Sequence, residues 1–186
     1  MRMHSAMSLV LATMVAFATQ SSIAAEKAKT SAAKLNRDSR AALKKLHARV
    51  PLAKTLAPKA YAILVFPEVT KAGLMIGGQY GEGALFRKGK TIGYYSTAGA
   101  SYGLQAGVQQ FGYAMFFMNS KALKALNSSD GFEIGVGPSV VVVDEGMAKQ
   151  TTTKTLDDDV YAFVFAQSGL MAGLGLQGNK ISKVVP

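Results

Sequence analysis

The chain has 186 residues, with 21 Lys and Arg against 11 Asp and Glu, a net charge of +10, and no cysteine or tryptophan. This composition excludes disulfide stabilisation, thiolate zinc sites and cysteine nucleophiles. The length suits one domain with a core of its own, and the positive balance favours an anionic partner.

Residues 1–25 have the layout of a secretory signal peptide. Arg2 and His4 open it, Met7 to Ala18 is apolar apart from Ser8 and Thr13, and Ser21-Ser22-Ile23-Ala24-Ala25 offers small residues for cleavage. The apolar run is shorter than the roughly 20 residues that a bilayer span needs. The expectation is a cleaved leader followed by one domain, residues 26–186, exported to the periplasm. Only Arg2 among the charged side chains lies in the leader, so the product keeps a charge of about +9. In that setting anionic lipid headgroups are a more available partner than nucleic acid.

Glu26 to Ser31 is a polar lead-in. Ala32 to Val50 reads as an amphipathic helix: Ala32, Leu35, Ala42, Leu43, Leu46 and Val50 share one side, and Lys34, Arg37, Arg40, Lys44 and His47 the other. Pro51 ends it, and Lys54 to Pro58 is a connector with room for a short helical turn. From Tyr61 the period changes. Ala62 to Phe66 predicts a strand buried on both faces or lying under a helix. Ala72 to Gln79, Gly83 to Arg87 and Thr91 to Thr97 read as successive strands, with turns at Gly81 and at Lys88-Gly89-Lys90. Over Tyr102 to Gln110, alternation puts Tyr102, Leu104, Ala106 and Val108 on a core face and Gly103, Gln105, Gly107 and Gln109 on a small, polar one. Tyr113 to Met118 is a further strand. Asn119 or Ser120 caps a short helix running to Asn127. Phe132 to Gly137, Val140 to Val143, Leu156 to Phe165 and Leu170 to Gln177 complete the strands. The density of glycine in strand-like sequence implies a sheet that bends hard or packs closely. The likeness of the segments after Tyr61 and Tyr161 leaves open a half-repeat or chance.

Catalytic and metal chemistry finds little support. Beyond the leader His47 is the one histidine, and its place among lysines predicts a solvated side chain. No serine stands in a G-x-S-x-G elbow. Gly83 to Thr91 has five residues between its glycines where a phosphate loop has four, so it reads as a hairpin with a basic tip. Asp157-Asp158-Asp159, with Asp144 and Glu145, lacks the ligand spacing of a calcium loop. No cofactor, metal site or enzymatic activity is expected.

The motifs AILVFP at Ala62, KAG at Lys71, GGQYGEG at Gly77, GLQAG at Gly103 and GVGP at Gly135 follow one another in the order seen in the SYLF family. The chain resembles that family from about Leu35 to its end. The resemblance implies a lipid-binding domain, found in bacterial exported proteins and in eukaryotic actin-patch and endosomal proteins. It implies phosphoinositide preference in eukaryotic members and a role for a basic N-terminal helix, a region matched here by Lys34, Arg37, Arg40, Lys44 and Lys45. Some eukaryotic members bind actin, an activity not carried over to an exported chain.

Together these readings predict an α+β fold: a curved, mainly antiparallel sheet with an N-terminal amphipathic helix and one or two short helices packed on it. The expected function is peripheral association with anionic phospholipid headgroups through Lys34, Arg37, Arg40, Lys44, Lys45, Arg87, Lys88 and Lys90. Basic residues beside an anionic bilayer contribute roughly 1 kcal/mol each. The alternatives are a cell-envelope protein whose partner is another protein or an acidic polymer, and an outer-membrane barrel, against which the helical N-terminal region and the poor alternation of most strands argue.

Overall fold

The computed structural model describes residues 28–29, 31–128, 131–134, 137–144, 157–169 and 179–186. The expected leader and the strand at Leu170 to Gln177 lie outside them. Residues Leu35–Val185 form one compact unit, and Lys34 with the residues before it falls outside that unit. In chain order the elements are helix α1 (31–49), α2 (Pro51–Leu56), strands β1 (Ala62–Arg87) and β2 (Lys90–Phe117), helix α3 (Ser120–Leu126), and strands β3 (Phe132–Glu133), β4 (Val140–Asp144), β5 (Val160–Gly169) and β6 (Lys180–Val184).

The sheet runs β3-β6-β2-β5-β4, with β1 paired to β2. Every pairing is antiparallel except that of β4 with β5. The predicted α+β fold with a curved, mainly antiparallel sheet is therefore what the chain adopts. Strand β6 was absent from the sequence expectation. Its residues, KISKV, mix lysines among few apolar side chains, so alternation alone gives a weak signal.

The β1–β2 hairpin dominates the sheet. It pairs from Ala62↔Phe117 to Arg87↔Lys90, with register shifts at Phe66/Val69 and Leu74/Ile76. The expected turn at Gly81 does not exist: Gly81 sits inside β1, opposite Thr97. Glycine is needed there because the long strand folds back on its own beginning. A Cβ on Gly81 would lie 2.7 Å from the Glu68 carbonyl oxygen, and one on Gly83 would lie 2.5 Å from that of Val65. Both distances are too short for a side chain, so the signal taken for a turn marks close backbone approach. The turn at Lys88-Gly89 is real. Both residues have positive φ, 49° and 75°, as a two-residue hairpin connection requires.

Two apolar clusters lie on opposite faces of the central strands. Ala62, Leu64 and Phe66 of β1 join Met115 and Phe117 of β2, Ala162 of β5, and Ala122, Leu123 and Leu126 of α3. Ile63 and Val65 join Phe116, Phe163, Ala42 and Leu46 of α1, and Leu52 and Leu56 of α2. Residues 62–66 are thus buried on both sides, as their unbroken apolar run predicts. The segments after Tyr61 and Tyr161 prove to be the two neighbours of the same stretch of β2.

Helix α1 is fastened to β1 by Ser39, fully buried, whose hydroxyl donates to the Val65 carbonyl at 3.2 Å. Val50, extended at φ −120°, separates α1 from α2, and Pro51 opens α2, where its missing N–H costs nothing. Asn119 caps α3 as predicted, its Oδ1 accepting from the Ala122 amide at 2.8 Å.

The two faces expected at the end of Tyr102 to Gln110 are reversed. Val108 is 56% exposed, whereas Gln109 is 5% exposed and stands opposite Lys71, itself buried. The inner surface of the folded-back hairpin carries polar side chains here: Lys71, Gln79, Thr97 and Gln109, with Asn179 lying over Gly99. A rule that assigns apolar residues to the core inverts the phase at such a place.

Candidate functional site: a cation-lined cleft

A cleft of about 500 Å³ opens where α1, the α2–β1 connector and the tip of the β1–β2 hairpin meet. Helix α1 contributes Arg40, Lys44 and His47 to its wall, spaced so that they share one side of the helix. Phe86, Lys88 and Gly89 come from the hairpin, and Ala57, Pro58, Ala60, Tyr61 and Ile63 from the connector and the start of β1. The floor is apolar and the rim is cationic. Among the described residues no carboxylate lines it.

Arg40 holds the two walls together. Its Nη2 donates to the Gly89 carbonyl at 2.9 Å, and its Nε to Asn36 Oδ1 at 2.9 Å. The guanidinium carbon lies 4.7 Å from the centre of the Phe86 ring, a favourable cation–π placement. Nη1 takes no part in these bonds. Arg87 packs in the same manner on Tyr61: its carbon lies 4.0 Å from the ring centre, and its Nη2 donates to the phenol oxygen. The positive tip of the hairpin is thereby held against the connector. The left-handed backbone at Lys88 places that ammonium group on the cleft.

His47 is not the solvated residue that the lysine-rich helix face predicts. It is half-buried and its ring stands edge-on to Phe116, 6.4 Å between centres. Its Nε2 is buried and makes no hydrogen bond. Burial first, and the charge of Lys54 second, hold its pKa below the usual histidine value. The sequence signal that could have revealed it is its position three residues beyond Lys44 and seven beyond Arg40, on the same side of the helix.

Of the eight cations expected to form the site, Arg40, Lys44 and Lys88 come together on the cleft, with Arg87 beside it through Tyr61. The other four do not line it. Arg37 is exposed and pairs with its neighbour Asp38 at 3.2 Å. Lys45 is exposed on α1, and Lys90 is exposed at the start of β2. Lys34 is exposed and precedes the compact unit. Helical spacing accounts for Lys45, which lies outside the stripe of Arg40, Lys44 and His47, whereas Lys34 and Arg37 share that side but stand nearer the start of α1 than the cleft. Geometrically the cleft can hold an anion with an apolar portion. No nucleophile with a partnering base lines it among the described residues.

The structure thus defines a mainly antiparallel α+β domain bearing an anion-attracting cleft. The family model described as Ysc84, Las17-binding protein actin regulator, matches residues 98–184. Over these residues the chain is similar to the SYLF (Ysc84) family, in agreement with its ordered motifs. The matched span runs from within β2 to the end of β6. Helices α1 and α2, strand β1 and every cation of the cleft precede it. No curated protein matches the chain significantly.

Proposed function

We propose that this protein is an exported, periplasmic, non-enzymatic domain that associates peripherally with membranes by taking anionic phospholipid headgroups into the α1–hairpin cleft. One observation carries the reading: Arg40, Lys44 and Lys88, brought from distant parts of the chain, line a single cleft without a described carboxylate among them. Three such cations contribute about 3 kcal/mol at an anionic bilayer, or about a hundredfold in affinity. That supports reversible attachment which weakens with salt. The apolar floor of Leu43, Pro58, Ile63 and Phe86 suits the glycerol and first methylenes below a headgroup.

Co-sedimentation with phosphatidylglycerol vesicles against phosphatidylcholine vesicles tests the reading. Binding to the former, lost in an Arg40→Glu/Lys44→Glu/Lys88→Glu variant, is the expected result. Equal binding to both lipids, or a triple variant that binds as well as the parent, would overturn it. The description of the family as Las17-binding favours a second reading, in which the partner is a protein of the cell envelope. That reading gains if the parent chain ignores lipid charge.

A further inference from the structure

His47 differs in kind from the other polar groups of the cleft. Arg40 and Lys44 on α1, and Lys88 at the hairpin tip, are exposed cations. His47 is a half-buried, ionisable ring whose Nε2 is shut off from solvent and makes no hydrogen bond. A buried polar atom without a partner is costly, and one in the wall of a cleft is well placed to receive a ligand. The groups around it set the sign of any response to pH. Arg40 and Lys44 share its helix face, and Lys54 of α2 repels a proton on the ring. Lys88 and the phenol of Tyr61 complete the ionisable lining. From β2 it meets the uncharged edge of Phe116. Among the described residues every charge facing His47 is positive, so these surroundings oppose a proton until an anion arrives and reverses the local potential.

We infer that His47 is a proton-linked contact of the cleft: an anionic phosphodiester headgroup binds together with one proton taken from solvent onto the imidazole, so the cleft holds lipid more tightly as pH falls. The inference rests on the reading of the cleft as a headgroup site. The step is a single protonation. The neutral ring gains one proton and becomes a donor at both nitrogens, and no bond of the lipid changes. Lysine, arginine and tyrosine titrate well above this range, and a phosphodiester keeps its one negative charge throughout it. Among the described lining groups, His47 is the one imidazole, the side-chain type whose ordinary value lies nearest neutrality.

One linked proton can change affinity by at most about tenfold per pH unit. For the parent chain on phosphatidylglycerol vesicles, binding about fivefold to tenfold tighter at about pH 5.5 than at about pH 7.5 is expected. In His47→Gln that gain should disappear. A gain that survives in His47→Gln overturns the inference. So does parent binding that is flat with pH yet still abolished by the Arg40→Glu/Lys44→Glu/Lys88→Glu change, and this outcome leaves the headgroup reading standing. No binding to the vesicles at either pH removes both. A second measurement does not depend on how the variant folds. The nuclear magnetic resonance titration of the His47 ring in the parent chain, with and without soluble dihexanoyl phosphatidylglycerol, should show its pKa raised by the lipid. An unchanged pKa at saturating lipid overturns the inference.

Discussion

The two faces of the central strands differ in how their helices meet the sheet. On the α3 face the asparagines are closed off locally, although the Tyr113 hydroxyl is buried there without a hydrogen bond. Asn119 caps the helix and donates to Asp159 at 2.7 Å, while Asn127 accepts from the Tyr95 hydroxyl at 2.6 Å and donates to the Leu123 carbonyl at 3.0 Å. On the α1–α2 face, Arg40, Lys44 and Lys88 surround a cleft, and a ring nitrogen of His47 stands without a partner. Both faces rest on equally apolar clusters. The difference teaches that this domain gathers its larger, cation-lined cleft where helix and hairpin meet, while the α3 side pairs its asparagines locally beside a smaller hollow of about 300 Å³ at Asn127, Lys180 and Lys183.

The strongest way to break this comparison is to empty one face. Phe116 is fully buried against Phe163, ring centres 5.0 Å apart. Phe116→Ala should cost about 4 kcal/mol in urea unfolding. Phe117→Ala, on the α3 side, should cost a similar amount, because each face supplies half of the core. A loss below about 1 kcal/mol at Phe116 would mean that α1 and α2 do not pack on the sheet as described.

Charge reversal separates binding from stability. Arg40→Glu/Lys44→Glu/Lys88→Glu should weaken binding to phosphatidylglycerol vesicles about a hundredfold. Lys44 and Lys88 are exposed and should change stability little, whereas losing the Arg40 bond to Gly89 should cost about 1 kcal/mol. The matching reversal on α3, Lys121→Glu/Lys124→Glu, should leave binding within about twofold. Equal losses from both variants would show that net charge alone, and not the cleft, attracts the membrane.

Removing the cap of α3 should act on stability alone. Asn119→Ala is expected to cost about 1 kcal/mol in urea unfolding and to leave vesicle binding intact. The smallest effect concerns pH. Burial and Lys54 lower the His47 pKa in the folded chain, so on acidification the unfolded chain takes up this proton first. The contribution of His47 to stability is therefore fully present above about pH 6.5 and declines as pH falls through the folded value. Melting at a series of pH values should show this decline in the parent and a flatter profile in His47→Gln.

Much of the scaffold is legible in the chain itself, for local reasons. The apolar stripe of α1, the proline that ends it, the asparagine cap of α3, the doubly buried run Ala62 to Phe66 and the Lys88-Gly89 turn each depend on neighbours in sequence. The failures share a different cause. Gly81 reads as a turn in sequence because glycine marks both turns and close approaches, and only the folded-back path of β1 distinguishes the two. Val108 and Gln109 exchange faces because the inner surface of the hairpin is polar at that point, opposite Lys71.

The same division holds for the site. Composition and helical spacing alone establish that the chain is basic, that α1 carries cations on its outer side, and that the hairpin tip carries more. Which of those cations act together is a long-range matter. Arg40 and Gly89 are 49 residues apart in the chain, yet share a hydrogen bond of 2.9 Å. No local pattern specifies that contact, because it arises from the packing of α1 on a sheet whose curvature depends on close approach at Gly81 and Gly83. Tertiary structure thereby selects Arg40, Lys44 and Lys88 from eight candidates, and turns His47 from a solvated side chain into part of the cleft wall.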